Sequence, residues 1–253
     1  MATHFIADLH LQGDDDVNAH RLAAYLAGAA RAADALYVLG ALFDVWIGDD
    51  GSLPRHRATL AAFAELTAAG VPAAFMRGNR DFAVGPAFAE ATGLRILDDP
   101  TVVDLYGTPT LLTHGDGLCT DDHAHQAFRA KYNDPAWRAR MLRIPLWLRR
   151  LIAVRARRRS AAGKARKAAR IMDVNADAVV EAMRRRGVAR LIHGHTHRPA
   201  SHHVDLDGEA GTRHVIADWR ADQAEVLTVD AGGVHRHSLL DAERVRRPDD
   251  ATN

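Results

Sequence analysis

The stretch "ALYVLGALFDVWIGDD", Ala35 to Asp50, decides the fold. Its first part is a short run of apolar residues that stops at Gly40. The rest is a loop holding acids at Asp44, Asp49 and Asp50. A run this short and this apolar reads as a strand buried on both faces, and the loop after such a strand is where an α/β scaffold keeps its chemistry. Ala41 puts a methyl group at the head of that loop.

The same pattern recurs on either side. "THFIADLH" is followed by a helical pattern near Asp16 to Arg31, then "ALYVLG", a second helical pattern near Leu53 to Ala69, and "VPAAFMRGN". This alternation predicts α/β layering. The later runs "TVVDLYGTPTLLTHGD", "RLIHGHTH", "ASHHVDLD", "TRHVIADW" and "AEVLTVDAGGVHRHSL" predict a second set of strands. Glycine-containing turns between them suit a partly antiparallel second sheet. The polar tail from Arg244 to Asn253 is expected to fray.

Bulk properties narrow the class. With 253 residues, 47% hydrophobic and 26% charged, the chain is globular and long enough for one large domain, read here as residues 1–253. A net charge of +1 names no partner. One cysteine, Cys119, excludes an intramolecular disulfide, and the opening "MATHFIADLH" lacks a signal-peptide pattern, so a reducing, cytoplasmic setting is expected. No window approaches the roughly 18 apolar residues that span a bilayer, so membrane contact is expected to be peripheral. Between Arg129 and Arg170, fifteen Lys and Arg face a single acid, Asp134, with apolar residues interleaved. This marks residues 123–170 as an insertion with a task of its own, a helical cap.

Four fragments carry chemistry: "DLH" (Asp8, His10), "GNRD" (Gly78 to Asp81), "THGD" (His114, Asp116) and "GHTH" (His195, His197). Each follows a strand-like run, and parallel layering gathers such ends on one edge. Singly they are weak, and with fifteen histidines an isolated one such as His20, His56 or His235 reads as a solvated surface residue. Together, a carboxylate, an amide oxygen and imidazoles form a donor set suited to Mn²⁺, Fe²⁺ or Zn²⁺ rather than Ca²⁺ or Mg²⁺.

The order D-x-H, G-x-x-x-D, G-N-x-D, H-G-D, G-H-T-H resembles the calcineurin-like metallophosphoesterase superfamily over roughly Thr3 to Trp219. Within it, "GNRDF", "HGDGLCTDD", "IMDVN" and "GHTHRP" resemble the UDP-2,3-diacylglucosamine hydrolase family of lipid A biosynthesis. The resemblance implies a four-layer αββα sandwich with a dinuclear Mn²⁺ centre. One ion would take Asp8, His10 and His197, the other Asn79, His114 and His195. It implies catalytic roles for His114, His195 and Arg80, and substrate contacts from Asn79, Arg80, Asp122, Ser160, Lys164, Lys167 and His195, with position 164 departing from the Asn expected there. The implied reaction is hydrolysis of the pyrophosphate bond of UDP-2,3-diacylglucosamine to UMP and 2,3-diacylglucosamine 1-phosphate. The implied place is the cytoplasmic face of the inner membrane, as a peripheral monomer that takes no nucleic acid.

The family bridges its two ions with an aspartate at the position of Ala41. Two dications about 4 Å apart repel by about 16 kcal/mol at an effective dielectric constant of 20, which a bridging carboxylate offsets. Without it, occupancy and turnover are expected to fall. Three origins fit this loss: a deliberate substitution, a degenerate natural copy, or a working variant that recruits another ligand. The intactness of the other motif residues favours the first. Asp44 is not an obvious substitute, and Asp49 and Asp50 read as caps beside the site. The basic insertion, with Leu142, Ile144, Leu146, Trp147, Leu148, Leu151, Ile152 and Val154, is expected to line an acyl trench, meet the interface or pack on the core. Trp46 and Phe82 are equally candidates for acyl contact or core. Two other functions compete: a metallophosphoesterase directed at other nucleotides, and a catalytically silent binder of the lipid-linked nucleotide.

Overall fold

A computed structural model describes residues 1–164 and 173–240. The first half alternates strand and helix: β1 (Thr3–Ile6), α1 (Val17–Ala27), β2 (Ala35–Leu39), the single turn α2 (Asp49–Ser52), α3 (Arg57–Ala68), β3 (Ala73–Met76), α4 (Pro86–Thr92) and β4 (Arg95–Leu97). The hairpin β5 (Thr101–Leu105) and β6 (Thr108–Thr113) follows. Then come three helices in a row, α5 (His123–Asn133), α6 (Pro135–Leu142) and α7 (Leu146–Lys164). The chain closes with α8 (Ala176–Arg186), β7 (Arg190–His193), β8 (Ala200–Leu206), β9 (Glu209–Val215), β10 (Glu225–Asp230) and β11 (Gly233–Ser238).

The strands form two sheets, in the orders β11-β10-β1-β2-β3-β4 and β5-β6-β7-β9-β8. Strands β1 to β4 run parallel, as do β6, β7 and β9. Side chains alternate between two cores along each central strand. Ile6, Val38 and Phe75 pack against the helices α1, α3 and α4, whereas Phe5, Leu39 and Met76 meet Leu112 and Ile192 of the other sheet. A third core joins Leu111 and Leu191 to Val179 and Met183 of α8. Three cores between four layers make an αββα sandwich, the architecture that the sequence resemblance implies.

Three sequence expectations need correction, one of them that His56 is a solvated surface residue: it is 2% exposed, packed against Phe43 and Trp46. The strands "AEVLTVDAGGVHRHSL" were assigned to the second sheet, yet β10 lies between β1 and β11 in the first. Its inner residues are buried on both faces, so their apolar run matches either sheet, and only pairing decides. The helix expected from Leu53 starts as a 3-10 turn, Leu53–Arg55, and becomes α-helical only at Arg57. His56 breaks it, with φ −124° and ψ 31° and its ring buried against Phe43. The tail from Arg244 lies outside the described residues.

Helix α7 is inverted relative to an ordinary amphipathic helix. Trp147, Leu151, Ile152 and Val154 are exposed, Trp147 by 68%, whereas Arg149 is only 5% exposed. The guanidinium of Arg149 forks onto the Asp50 carboxylate and also donates to the Ile47 and Ile144 carbonyls. Among the described residues, no helix is long and apolar enough to cross a membrane.

Candidate metal centre

Every motif fragment sits just past the C-terminal end of a strand: Asp8 and His10 after β1, Ala41 after β2, Asn79 and Arg80 after β3, His114 after β6, His195 and His197 after β7. Seven non-glycine residues have positive φ among the described residues, and five lie here: Asp8 (56°), His10 (52°), Ala41 (49°), His195 (70°) and His197 (56°). The other two, Tyr106 and Asp207, precede glycines in hairpin turns. Left-handed backbone costs about 1 kcal/mol or more per non-glycine residue, so its concentration at these strand ends marks a functional constraint.

Backbone bonds knit the loops together. Asp8 N–H donates to the Gly40 carbonyl at 3.1 Å, His10 N–H to the Ala41 carbonyl at 3.0 Å, and Gly194 N–H to the His114 carbonyl at 2.9 Å. Two glycines permit this approach. A Cβ on Gly194 would lie 2.5 Å from Asp8 Oδ2, and one on Gly78 would lie 2.5 Å from the Ala41 nitrogen.

On one side of the centre, Asp8, His10 and His197 converge, with donor atoms all within 4.8 Å of one another. His197 Nε2 lies 3.5 Å from Asp8 Oδ1 and 3.3 Å from His10 Nε2. Asp8 Oδ2 accepts from His195 N–H at 2.6 Å, whereas the buried Oδ1 takes no hydrogen bond. Behind the triad, Asp218 Oδ2 lies 3.2 Å from His197 Nδ1. A carboxylate there holds the ring so that Nε2 points at the centre, the arrangement that supports metal-binding histidines. Burial pushes His10 down to about 4, with partial compensation from Asp8. Burial alone would also depress His197, but Asp218 and Asp8 override it and raise its pKa to about 9. Burial would raise Asp8, and the imidazoles of His197, His114 and His10 instead hold it below the usual carboxylate range. An ionised carboxylate and two imidazoles around an unbonded oxygen fit a divalent cation.

The other side has two further imidazoles and no carboxylate among its donors; burial would depress His114, but Asp8 and Asp116 override it and raise its pKa. His114 and His195 meet edge to face with centroids 5.0 Å apart. His114 Nδ1 donates to the Leu39 carbonyl at 2.8 Å, which leaves the buried Nε2 as a lone-pair donor with no hydrogen-bond partner. Burial first, and the neighbouring His114 second, push His195 down to about 3, so its ring is neutral. Asn79 lies on the adjoining turn. Ala41, at the end of the neighbouring strand β2, is fully buried and brings only a methyl.

A model of the family described as calcineurin-like phosphoesterase matches residues 1–199. The chain belongs to this family. Among similar proteins, the UDP-2,3-diacylglucosamine hydrolase of Salmonella arizonae is 47% identical over 89% of this chain and 94% of its own length. Those of Enterobacter sp. strain 638 and Edwardsiella ictaluri are 46% and 45% identical over 92% and 93% of this chain, covering 97% and 91% of their own lengths.

The three acids of the loop after Ala41 are all engaged elsewhere in this phosphoesterase. Asp44 pairs with Arg80, Nη1 to Oδ1 at 3.4 Å, and with Arg157 of α7, so it does not stand in for a bridging carboxylate. Asp49 accepts from the Trp46 indole at 2.9 Å and from Gly85, Ala87 and Phe88 N–H groups at the start of α4 at 3.0 to 3.2 Å, the capping role expected of it. Asp50 holds Arg149. Trp46 is buried against Phe43, His56 and Phe88 and is core. Phe82 stacks on Tyr132 of α5, centroids 5.1 Å apart, beside Phe128 and Trp137. Asp122 caps α5 by accepting from His125 N–H at 3.1 Å. The side chains of Ser160 and Lys164, and the whole of Lys167, lie outside the described residues.

Sequence reasoning passed over Asp218, and named Asp81 and Asp116 only as members of motif fragments without a role; all three position the phosphoesterase centre. Asp218 ends the apolar run "HVIAD" after β9, the same strand-end signal carried by the motif residues. Asp81, fully buried, accepts from Gly78, Ala41 and Phe43 N–H groups at 2.8, 3.3 and 3.3 Å, and so ties the Ala41 loop to the Asn79 loop. Asp116 collects His125 at 3.1 Å, Arg129 at 3.1 Å and the Tyr132 hydroxyl, all on α5. The His125 ring then rests 5.4 Å from that of His195.

Proposed function

We propose that this chain hydrolyses the pyrophosphate bond of UDP-2,3-diacylglucosamine, giving UMP and 2,3-diacylglucosamine 1-phosphate, and that Ala41 lowers its turnover. The observation that carries this reading is the Asp8, His10 and His197 triad, backed by Asp218, at the strand ends of a chain 47% identical to hydrolases named for that substrate. Asp8, His10 and His197 would hold one Mn²⁺, and Asn79, His114 and His195 a second. Bound there, the ions supply a low-pKa water and charge stabilisation at phosphorus.

The chain's own groups do the rest. Arg80 is held beside the centre by Asp44, where its planar fork suits a phosphoryl oxygen. The neutral ring of His195 stays available as a donor atom, and its backbone N–H fixes Asp8. Residues 123–170 act as a cap. Asp122, just before this cap, and its Ser160, Lys164 and Lys167 contact substrate, and its exposed Trp147, Leu151, Ile152 and Val154, set among arginines, meet acyl chains and an anionic bilayer surface. On this reading the protein works as a monomer on the cytoplasmic face of the inner membrane.

A second reading, a silent binder of the same lipid-linked nucleotide, is favoured by Ala41 alone. UMP release measured under equal Mn²⁺ for the chain and its Ala41→Asp variant decides between them. Slow release that rises in the variant is expected. No release by the chain, with tight substrate binding, would favour the binder, and no release by either would sink the hydrolase reading.

A further inference from the structure

Three loops of the metal centre meet at Gly194. Its N–H donates to the His114 carbonyl at 2.9 Å, its carbonyl accepts from Thr196 N–H at 2.9 Å, and a Cβ on it would lie 2.5 Å from Asp8 Oδ2. The Gly194 carbonyl and the His195 N–H belong to one planar peptide unit, and that N–H donates to Asp8 Oδ2 at 2.6 Å. Whatever fixes the carbonyl therefore also aims the N–H at Asp8, and leaves Asp8 Oδ1 turned towards His10 and His197.

The side chain that fixes it is the one just before. His193, the last residue of β7, is fully buried. It pairs with Val215 of β9, and Arg213, two residues earlier on β9, lies on the same face of the sheet. Arg213 Nη1 stands 3.2 Å from His193 Nε2. A guanidinium only donates, so Nε2 is the acceptor, the ring is neutral and its proton is on Nδ1. Nδ1–H in turn donates to the Gly194 carbonyl at 2.8 Å. The same ring supports the neighbouring loop, because a Cβ on Gly115 would lie 2.7 Å from His193 Nδ1. His193 is thus wedged between Gly115, next to His114, and Gly194, next to His195. From Arg213 the order runs through a single tautomer and one rigid peptide plane to the carboxylate of Asp8.

We propose that His193 is a positioning residue of the metal centre, acting on Asp8 through the Gly194–His195 peptide plane. The proposal rests on the metal reading of the centre and on nothing about the substrate. Mn²⁺ titration of the full chain and its H193N and H193Q variants tests it, followed by the free Mn²⁺ signal in electron paramagnetic resonance. An Asn amide nitrogen stands where Nδ1 stands and keeps the bond to the Gly194 carbonyl, whereas the Gln amide stands where Nε2 stands and loses it. H193Q is expected to weaken Mn²⁺ binding by about 10- to 100-fold, and H193N by no more than about threefold. Both variants disturb the packing, so a lower melting temperature shared by the two reports packing, and the difference in Mn²⁺ affinity reports the hydrogen bond. Equal Mn²⁺ affinity in H193N and H193Q, whether kept or lost, would overturn the proposal. A second measurement needs no variant: long-range proton–nitrogen correlation spectra of the metal-free chain are expected to show His193 protonated on Nδ1 and bare on Nε2, and the opposite tautomer would overturn the proposal as well. A chain that binds no Mn²⁺ fails the metal reading and takes the proposal with it, whereas Mn²⁺ held with an affinity indifferent to position 193 removes the proposal alone.

Discussion

On the Asp8 side of the centre, one ionised carboxylate faces the donors and a second, Asp218, stands behind them. On the His114 side, the donors named are two imidazoles and an amide, and position 41 brings a methyl group. Both sides have ring pairs at comparable spacing, 5.2 and 5.0 Å between centroids, but only His195 and Ala41 on the second side share the left-handed strand-end backbone of the triad. A carboxylate stands among the donors of the first side and not of the second. The comparison teaches that the two sides share their rings and not the carboxylate, the group that would offset a repulsion of order 10 kcal/mol if two dications were held.

The largest effect should come from removing the charge on the richer side. Asp8→Asn keeps an oxygen for the His195 N–H but discards the charge, and Mn²⁺ affinity should fall at least about a thousandfold, as read from the free Mn²⁺ signal in electron paramagnetic resonance. Adding charge to the poorer side should reverse the asymmetry. Position 41 already has the φ of 49° that Asp tolerates better than Ala, and Ala41→Asp should move bound Mn²⁺ towards two per chain and raise UMP release by about a hundredfold. If metal content does not change, charge is not the difference between the halves. Asp218→Asn tests the support behind His197, and a drop in Mn²⁺ affinity of about 10- to 100-fold is expected, with the fold intact by circular dichroism.

Two smaller predictions concern the loop that joins the halves. Burial pushes the His56 pKa down to about 4, from an unfolded value near 6.5. Its contribution to stability is therefore complete above pH 6.5 and disappears as pH falls to about 4. The stability difference between the chain and a His56→Phe variant should change by about 2 kcal/mol over that window in denaturant melts. Asp50→Asn removes the carboxylate on Arg149. Because Asp50 is 57% exposed, the cost should be only about 1 kcal/mol, seen as faster amide exchange in α7 with the sandwich unaffected.

Much of the centre could be read from residue order, because each motif fragment follows an apolar run and parallel strands bring their ends together. The roles of the positioning acids could not. Asp81 and Asp116 stand in the motif fragments and Asp218 at a strand end, but the groups they hold come from other loops and from α5. The acids of the Ala41 loop show the same limit. Asp49 could be read as a cap because capping is local. The pairing of Asp44 with Arg157 and of Asp50 with Arg149 joins residues about a hundred positions apart, and nothing in either stretch specifies the other.

Taken alone, the sequence determined the α/β layering and the strand ends that carry the chemistry, while the missing carboxylate at Ala41 is what the family resemblance implies. The first two follow from short-range pattern: the two-residue period of strands and the glycines that end them. Tertiary structure alone decided that β10 and β11 join the first sheet, that Asp44 is held by Arg80 and Arg157, and that α7 buries an arginine while exposing its tryptophan. These depend on which surfaces meet, and contact between distant segments is set by the packing of the whole chain.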